Sequence, residues 1–223
     1  MTGKYSIDMS DTDTGYTREY FMDGPRSGLS NYNNYHWMPE LTVPMARRLV
    51  KVLGEQITGN PNPAILDFGC ARGYLVHALR QIGFDAAGFD TSQWAIEHCH
   101  PRVKEYVSNT LDLSHPYRHI VAKDVLEHIE LPELEELIPR LWEATEKSMF
   151  FIVPLTDENG SYLRDEDEND PSHKIRWQMD EWVNFFYQTL DGEPTVWASP
   201  HVPGLKPASG EMLWSTGFFK ITK

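Results

Sequence analysis

Cysteine is scarce in this chain: Cys70 and Cys99 are the only two, and they lack C-x-x-C spacing. Neither a disulfide framework nor a thiolate zinc site is indicated, so a reducing, cytoplasmic location is the expectation. Clustered cations are lacking too. Against 33 acidic residues stand 20 basic ones, a formal net charge of -13, and no Lys/Arg run is longer than Arg47-Arg48. Binding to a phosphate backbone draws its affinity from clustered cations, so nucleic acid is disfavoured as a partner and a small-molecule substrate is favoured. Long apolar runs are missing as well. The longest, Met149 to Val153, is far too short to cross a bilayer, and the N-terminal MTGKYSIDMSDTDTG lacks the apolar centre of a signal peptide. No membrane partner is expected.

What is present suits one globular domain: 223 residues, 40% hydrophobic and 24% charged, are enough to bury a substantial core. Residues 1–15 read as a disordered polar tail and 16–223 as a single domain. Within 16–38 lie Tyr16, Tyr20, Phe21, Tyr32, Tyr35, His36 and Trp37, together with Gly24, Pro25 and Gly28, without a helical period. This segment is either a flap packing its aromatics on the core or a lid over a ligand; the residues alone leave the two open. A helix is predicted from about Pro39, with Leu41, Met45, Leu49, Val50 and Leu53 as its apolar stripe and Gly54 near its end, followed by a turn at Asn60-Pro61-Asn62-Pro63.

The stretch A-I-L-D-F-G-C-A-R-G, Ala64 to Gly73, organises the rest. A short apolar run ends in glycines and leads into a segment where Leu75, Leu79 and Ile82 recur at helical spacing, which predicts strand, tight turn and helix. At the carboxyl end of a parallel strand such a turn binds a ligand on free backbone N–H groups, and Gly69 and Gly73 would let it approach closely. Asp67 then selects the ligand. A pyrophosphate would be repelled by a carboxylate two residues before the first glycine, and G-x-G-x-x-G is absent, which disfavours a nicotinamide-dependent oxidoreductase. A sulfonium and an ammonium would be attracted. Asp90 ends the second strand, 21 residues after Gly69, where an acid accepts hydrogen bonds from ribose hydroxyls, and Ser92 stands near the cap of the next helix. This feature alone fits either nucleoside ligand.

These residues resemble motif I of the class I S-adenosylmethionine-dependent methyltransferases, L-D-x-G-x-G-x-G, with Ala71 in place of the middle glycine. F-D-x-S around Asp90 resembles motif II, and Asp124-Val125-Leu126-Glu127-His128-Ile129, about 55 residues after motif I, resembles the element after strand four. The resemblance covers nearly the whole chain after residue 36. It implies an α/β, Rossmann-like class I methyltransferase fold: a seven-stranded, mostly parallel sheet with an antiparallel last strand and helices on both faces. It also implies S-adenosylmethionine as cofactor, held by Asp67, Gly69, Ala71, Gly73, Asp90, Ser92 and Asp124, with Asn109 and Thr110 in the loop facing adenine. The expected reaction is methyl transfer to oxygen or nitrogen of a small molecule. A non-catalytic cofactor-binding module is a further alternative, which the aromatic segment and the histidines disfavour.

Further along, weak strand three falls at Lys104 to Val107, strand four at His119 to Ala122, a helix at Pro132 to Lys147 with Pro139 kinking it or displacing its start, and strand five at Ser148 to Val153. Residues 155–178 form an acidic substrate-side loop. Met179 to Leu190 is a last helix, and Thr195 to Ala198 and Phe218 to Ile221 are the last strands. His128, after strand four, and His173, in D-P-S-H, are the candidate bases, since histidine exchanges a proton near neutrality. Asp124-x-x-Glu127-His128 resembles the E-x-x-E-H element by which some relatives hold a divalent ion; no metal is assigned here, because many relatives carry similar letters without one.

Overall fold

The computed structural model describes residues 6–7, 15–56, 62–205 and 214–223. Most of the expected tail, and the start of the turn at 60–63, fall outside these residues; Ser6–Ile7 pairs antiparallel with Leu111–Asp112. Seven strands form the main sheet: β1 (Asn62–Phe68), β2 (Phe84–Phe89), β3 (Val107–Ser108), β4 (Tyr117–Lys123), β5 (Thr145–Pro154), β6 (Thr195–Ser199) and β7 (Thr216–Thr222). Their order is β3-β2-β1-β4-β5-β7-β6, with β7 antiparallel to both neighbours and every other pairing parallel. After β1 the chain winds outward through β2 and β3, then crosses back to β4. The carboxyl ends of β1 and β4 stay paired through Phe68 and Ala122, and the connections leaving them run to opposite faces of the sheet, which leaves a crevice between them.

Five helices flank the sheet: α1 (Pro39–Leu53), α2 (Tyr74–Gln81), α3 (Gln93–Glu97), α4 (Leu131–Glu143) and α5 (Met179–Thr189). Neighbouring residues of the central strands serve opposite faces, because side chains alternate along a strand. Ile65 and Phe150 pack with Leu49, Leu53, Leu75 and Leu79 under α1 and α2, whereas Leu66 and Phe151 pack with Leu134, Leu141, Trp182 and Phe186 under α4 and α5. Both faces of β5 are covered. This explains its unbroken apolar run, in which each fully buried Phe or Ile contributes about 1.5–3 kcal/mol.

Most element boundaries fall within a few residues of expectation, with three departures. Strand β5 begins at Thr145, three residues early, and the Thr145 hydroxyl donates to the Leu141 carbonyl at 2.7 Å, closing the helix-to-strand corner. Helix α4 contains Pro139 rather than starting after it. The hydrogen bond proline cannot make would have gone to Glu135, which is exposed to water, while buried Leu134, Leu137, Ile138 and Leu141 hold the helix in place. The aromatic segment carries two short helical turns, Arg18–Met22 and Gly24–Ser27, although its sequence has no sustained period.

Candidate active site

The turn after β1 carries two demands that glycine meets. Gly69 has φ 79°, and a Cβ there would lie 2.3 Å from a methyl of Val125; Gly73 has φ 70°, and its Cβ would come within 2.9 Å of Val103. Behind each glycine the neighbours that exclude a side chain are the protein's own, Val125 and Val103. Ala71 also takes a positive φ of 48°, at a cost of about 1–2 kcal/mol, and its N–H is thereby aimed at the Asp90 carboxylate, 2.7 Å away.

Asp90 joins the two halves of the crevice. One of its oxygens accepts the Ala71 N–H and the other accepts the Ser92 N–H at 2.8 Å, which leaves each oxygen a lone pair for a ribose hydroxyl. Burial pushes the acid up to about 6, against the pull of those two N–H groups. Asp67, buried beneath the turn, is pushed up to about 7, by burial first and by the charge of Asp90 second, with Lys123 pulling the other way. A buried carboxylate held near neutrality gains most from a cationic ligand. The sulfonium and ammonium of S-adenosylmethionine fit that requirement, and the Asp90 lone pairs fit its ribose.

The other residues expected at the cofactor are disposed around this centre. The Ser92 hydroxyl accepts the Ala95 N–H to cap α3 and donates to the Tyr16 carbonyl. Asn109 lies just beyond the end of β3 with its amide donating to Gln93 at 2.6 Å, and the Thr110 N–H donates to Ser108. Asp124 takes a positive φ of 55° and is ion-paired with Lys123. Sequence reasoning gave no role to Lys123 or to Arg72. Arg72 donates to the carbonyls of Tyr35 at 2.8 Å and His98 at 2.7 Å, tying the aromatic segment to the crevice wall. Tyr20 and Phe21 are buried there, against Ala71, Trp94 and Ala95.

His128 and His173, 45 residues apart in sequence, come together with ring centroids 4.6 Å apart. The cause is backbone: the Glu127 carbonyl at the turn after β4 accepts the N–H groups of Lys174 at 2.6 Å and Ile175 at 3.1 Å, binding the substrate-side loop to that turn. The Ser172 hydroxyl donates to Asp170, so its oxygen accepts from Nδ1 of His128 at 2.9 Å. This sets the tautomer, with Nε2 unprotonated and 4.0 Å from Glu127 Oε1. Glu127, His128 and His173 offer ligand atoms within 4.8 Å of one another. Burial, and then the neighbouring His173, push His128 down to about 4; burial likewise lowers His173. Both imidazoles are therefore neutral at pH 7. Asp170 and Ser172, which orient His128, were missed in the sequence, although D-P-S-H contained both.

Asp90 gives a first test. The Asp90→Asn variant is expected to weaken S-adenosylhomocysteine binding by about 1–3 kcal/mol in calorimetric titration, through loss of ribose hydrogen bonds to a charged acceptor and of the acceptor for one of the two N–H groups of Ala71 and Ser92. Unchanged affinity would put the ribose elsewhere. Asp90→Ala would also strand the Ala71 and Ser92 N–H groups, so its melting temperature should fall together with its affinity.

A family model described as a methyltransferase domain matches residues 37–189. No curated protein matches the chain. Among solved structures, the chain resembles an S-adenosylmethionine-dependent methyltransferase from Archaeoglobus fulgidus (16% identity, 83% of this chain and 95% of that one, TM-score 0.59). It also resembles a magnesium protoporphyrin IX methyltransferase from Synechocystis with bound S-adenosylhomocysteine (15%, 97% and 100%, 0.59). A third is the plantazolicin methyltransferase with a triazolic desmethylPZN analogue and S-adenosylhomocysteine (18%, 83% and 86%, 0.60).

Proposed function

Since the chain belongs to the methyltransferase-domain family and is an S-adenosylmethionine-dependent methyltransferase, we propose that it methylates a small molecule at oxygen, with nitrogen the next choice. The feature that supports the choice of oxygen is the His128 imidazole on the turn after β4, whose Nδ1 is taken up by Ser172 and Asp170 so that Nε2 is left to accept a proton. A hydroxyl must lose its proton as it attacks. The O–C bond forms in line as the C–S bond breaks, the electron pair goes to sulfur, and the proton goes to Nε2. Glu127, 4.0 Å away, stabilises the imidazolium as it appears. Asp67 holds the cationic end of the cofactor and Asp90 its ribose. The segment 16–38, clamped by Arg72, acts as the lid, and 155–178 brings His173 over the acceptor. The charge of -13 supports a small acceptor over a nucleic acid. Transfer of labelled methyl to phenolic, alcoholic, amine and RNA acceptors tests the proposal: phenols or alcohols should be labelled, and labelling of RNA alone would overturn it.

A second reading is favoured by one observation. Three donors within 4.8 Å, two of them neutral imidazoles, suit a divalent cation that would bind the acceptor oxygen and acidify it. On the base reading, turnover is expected to survive exhaustive chelation, and manganese titrated into the protein should give no saturable heat. Loss of turnover on chelation with recovery on adding magnesium or manganese, or stoichiometric manganese binding abolished in Glu127→Gln, would make these three residues ligands.

A further inference from the structure

Far from the crevice, α1 and the β6–β7 edge border an open pocket of about 390 Å³ whose walls carry Arg48, His201 and Lys220, with Val52 and Val202 as apolar lining and Trp197 half-exposed. It lies on the sheet face that α1 covers. Trp197, Lys220, Phe150, Val121 and Asp67 form one cross-strand row, so four strand spacings, roughly 19 Å, separate Trp197 from the cofactor carboxylate. The pocket is a separate place on the molecule.

Its charge is opposite to that of the chain. Arg48, Lys220, whose ammonium is lowered from its usual value by burial first and by Lys147 second, and His201 line it, with no carboxylate among the described residues there, and the protein as a whole carries -13. The acid closest in the fold, Glu55, is already engaged by Arg118, His119 and Lys147, which together hold it at about 2 although burial alone would raise it. Nε of Arg48 is buried with no hydrogen-bond partner among the described residues. Lys220 donates to the Val52 carbonyl at 2.8 Å, a bond that uses one of its three protons. Inorganic phosphate would occupy only a small part of this volume, which falls in the range of small-molecule sites. The Trp197 ring offers the apolar or stacking surface that a larger ligand would use.

From this we propose a second ligand site, for a phosphate monoester of a planar or aromatic alcohol, with the phosphate between Arg48 and Lys220 and the ring against Trp197. Two cations match a dianion better than a carboxylate, and the guanidinium can bind two of its oxygens at once.

The test is calorimetric titration of the full chain, presaturated with S-adenosylhomocysteine so that the cofactor site is filled, with phenyl phosphate and inorganic phosphate. Phenyl phosphate should bind saturably and at least roughly tenfold more tightly than inorganic phosphate. Arg48→Gln and Trp197→Ala should each weaken it by roughly tenfold or more while keeping wild-type affinity for S-adenosylhomocysteine, which certifies their fold. Absence of saturation up to about 10 mM phenyl phosphate, or equal binding by wild type and both variants, would overturn the proposal.

Discussion

His128→Ala is expected to lower turnover by about 10²–10⁴-fold while leaving S-adenosylmethionine affinity nearly unchanged. The imidazole sits on the turn after β4, oriented by Ser172 at 2.9 Å, and is not among the residues proposed to hold the cofactor, Asp67 and Asp90. The pH dependence carries a sign. A base must be deprotonated, and burial has already brought His128 down to about 4, so its limb of the rate profile should lie near pH 4 and turnover should stay flat through neutrality. A base this weak accepts its proton only as the methyl bond forms. His173→Ala, on the loop that covers the acceptor, should raise the acceptor KM as well as lower turnover. Steady-state kinetics of both variants from about pH 5 to 9 is the measurement. Wild-type turnover in both would leave the proton to another group and favour a neutral amine as acceptor.

The glycine turn was legible because its determinants are local: an apolar pair, glycines at fixed offsets and a helical stripe within twenty residues. Strand β5 could be read from its apolar run, though not its start at Thr145, which depends on a hydrogen bond back to Leu141. The pairing of His128 with His173 was out of reach, since it is made by backbone bonds from Lys174 and Ile175 to Glu127, and such bonds leave no mark on composition or period. The same holds for Arg72, which looks like an ordinary cation inside motif I and holds the aromatic segment through the Tyr35 carbonyl. At Gly69 and Gly73 a further constraint lay beyond local sequence: the volume behind each is filled by Val125 and Val103, far along the chain.

Asp67→Asn is expected to have the largest effect on the cofactor. A buried carboxylate facing the ligand's cationic end is worth about 2–5 kcal/mol on truncation, or roughly 30-fold to several thousand-fold in Kd. In the free protein Asp67 is held near 7 by burial and by Asp90, so it is partly protonated at neutral pH. A cationic ligand favours the ionised form and lowers that value. Binding must therefore release a proton below about pH 7, and S-adenosylmethionine affinity should fall as pH drops through that value and level off above it. The Asn variant, unable to ionise, should lose this dependence. Comparing the two ligands locates the charge: S-adenosylhomocysteine keeps the ammonium but not the sulfonium, so equal losses for both place Asp67 at the ammonium, and a larger loss for S-adenosylmethionine places it at the sulfonium. Stability should move in the opposite direction. Because the folded-state value is raised, the contribution of Asp67 to stability is present at low pH and is lost as pH rises through about 7. Removing the charge should then raise the melting temperature of the ligand-free protein at pH 8, where the native carboxylate is ionised against its desolvation. A variant that binds cofactor as well as wild type, or that melts lower at pH 8, would show that Asp67 is neither the cation's partner nor a strained charge.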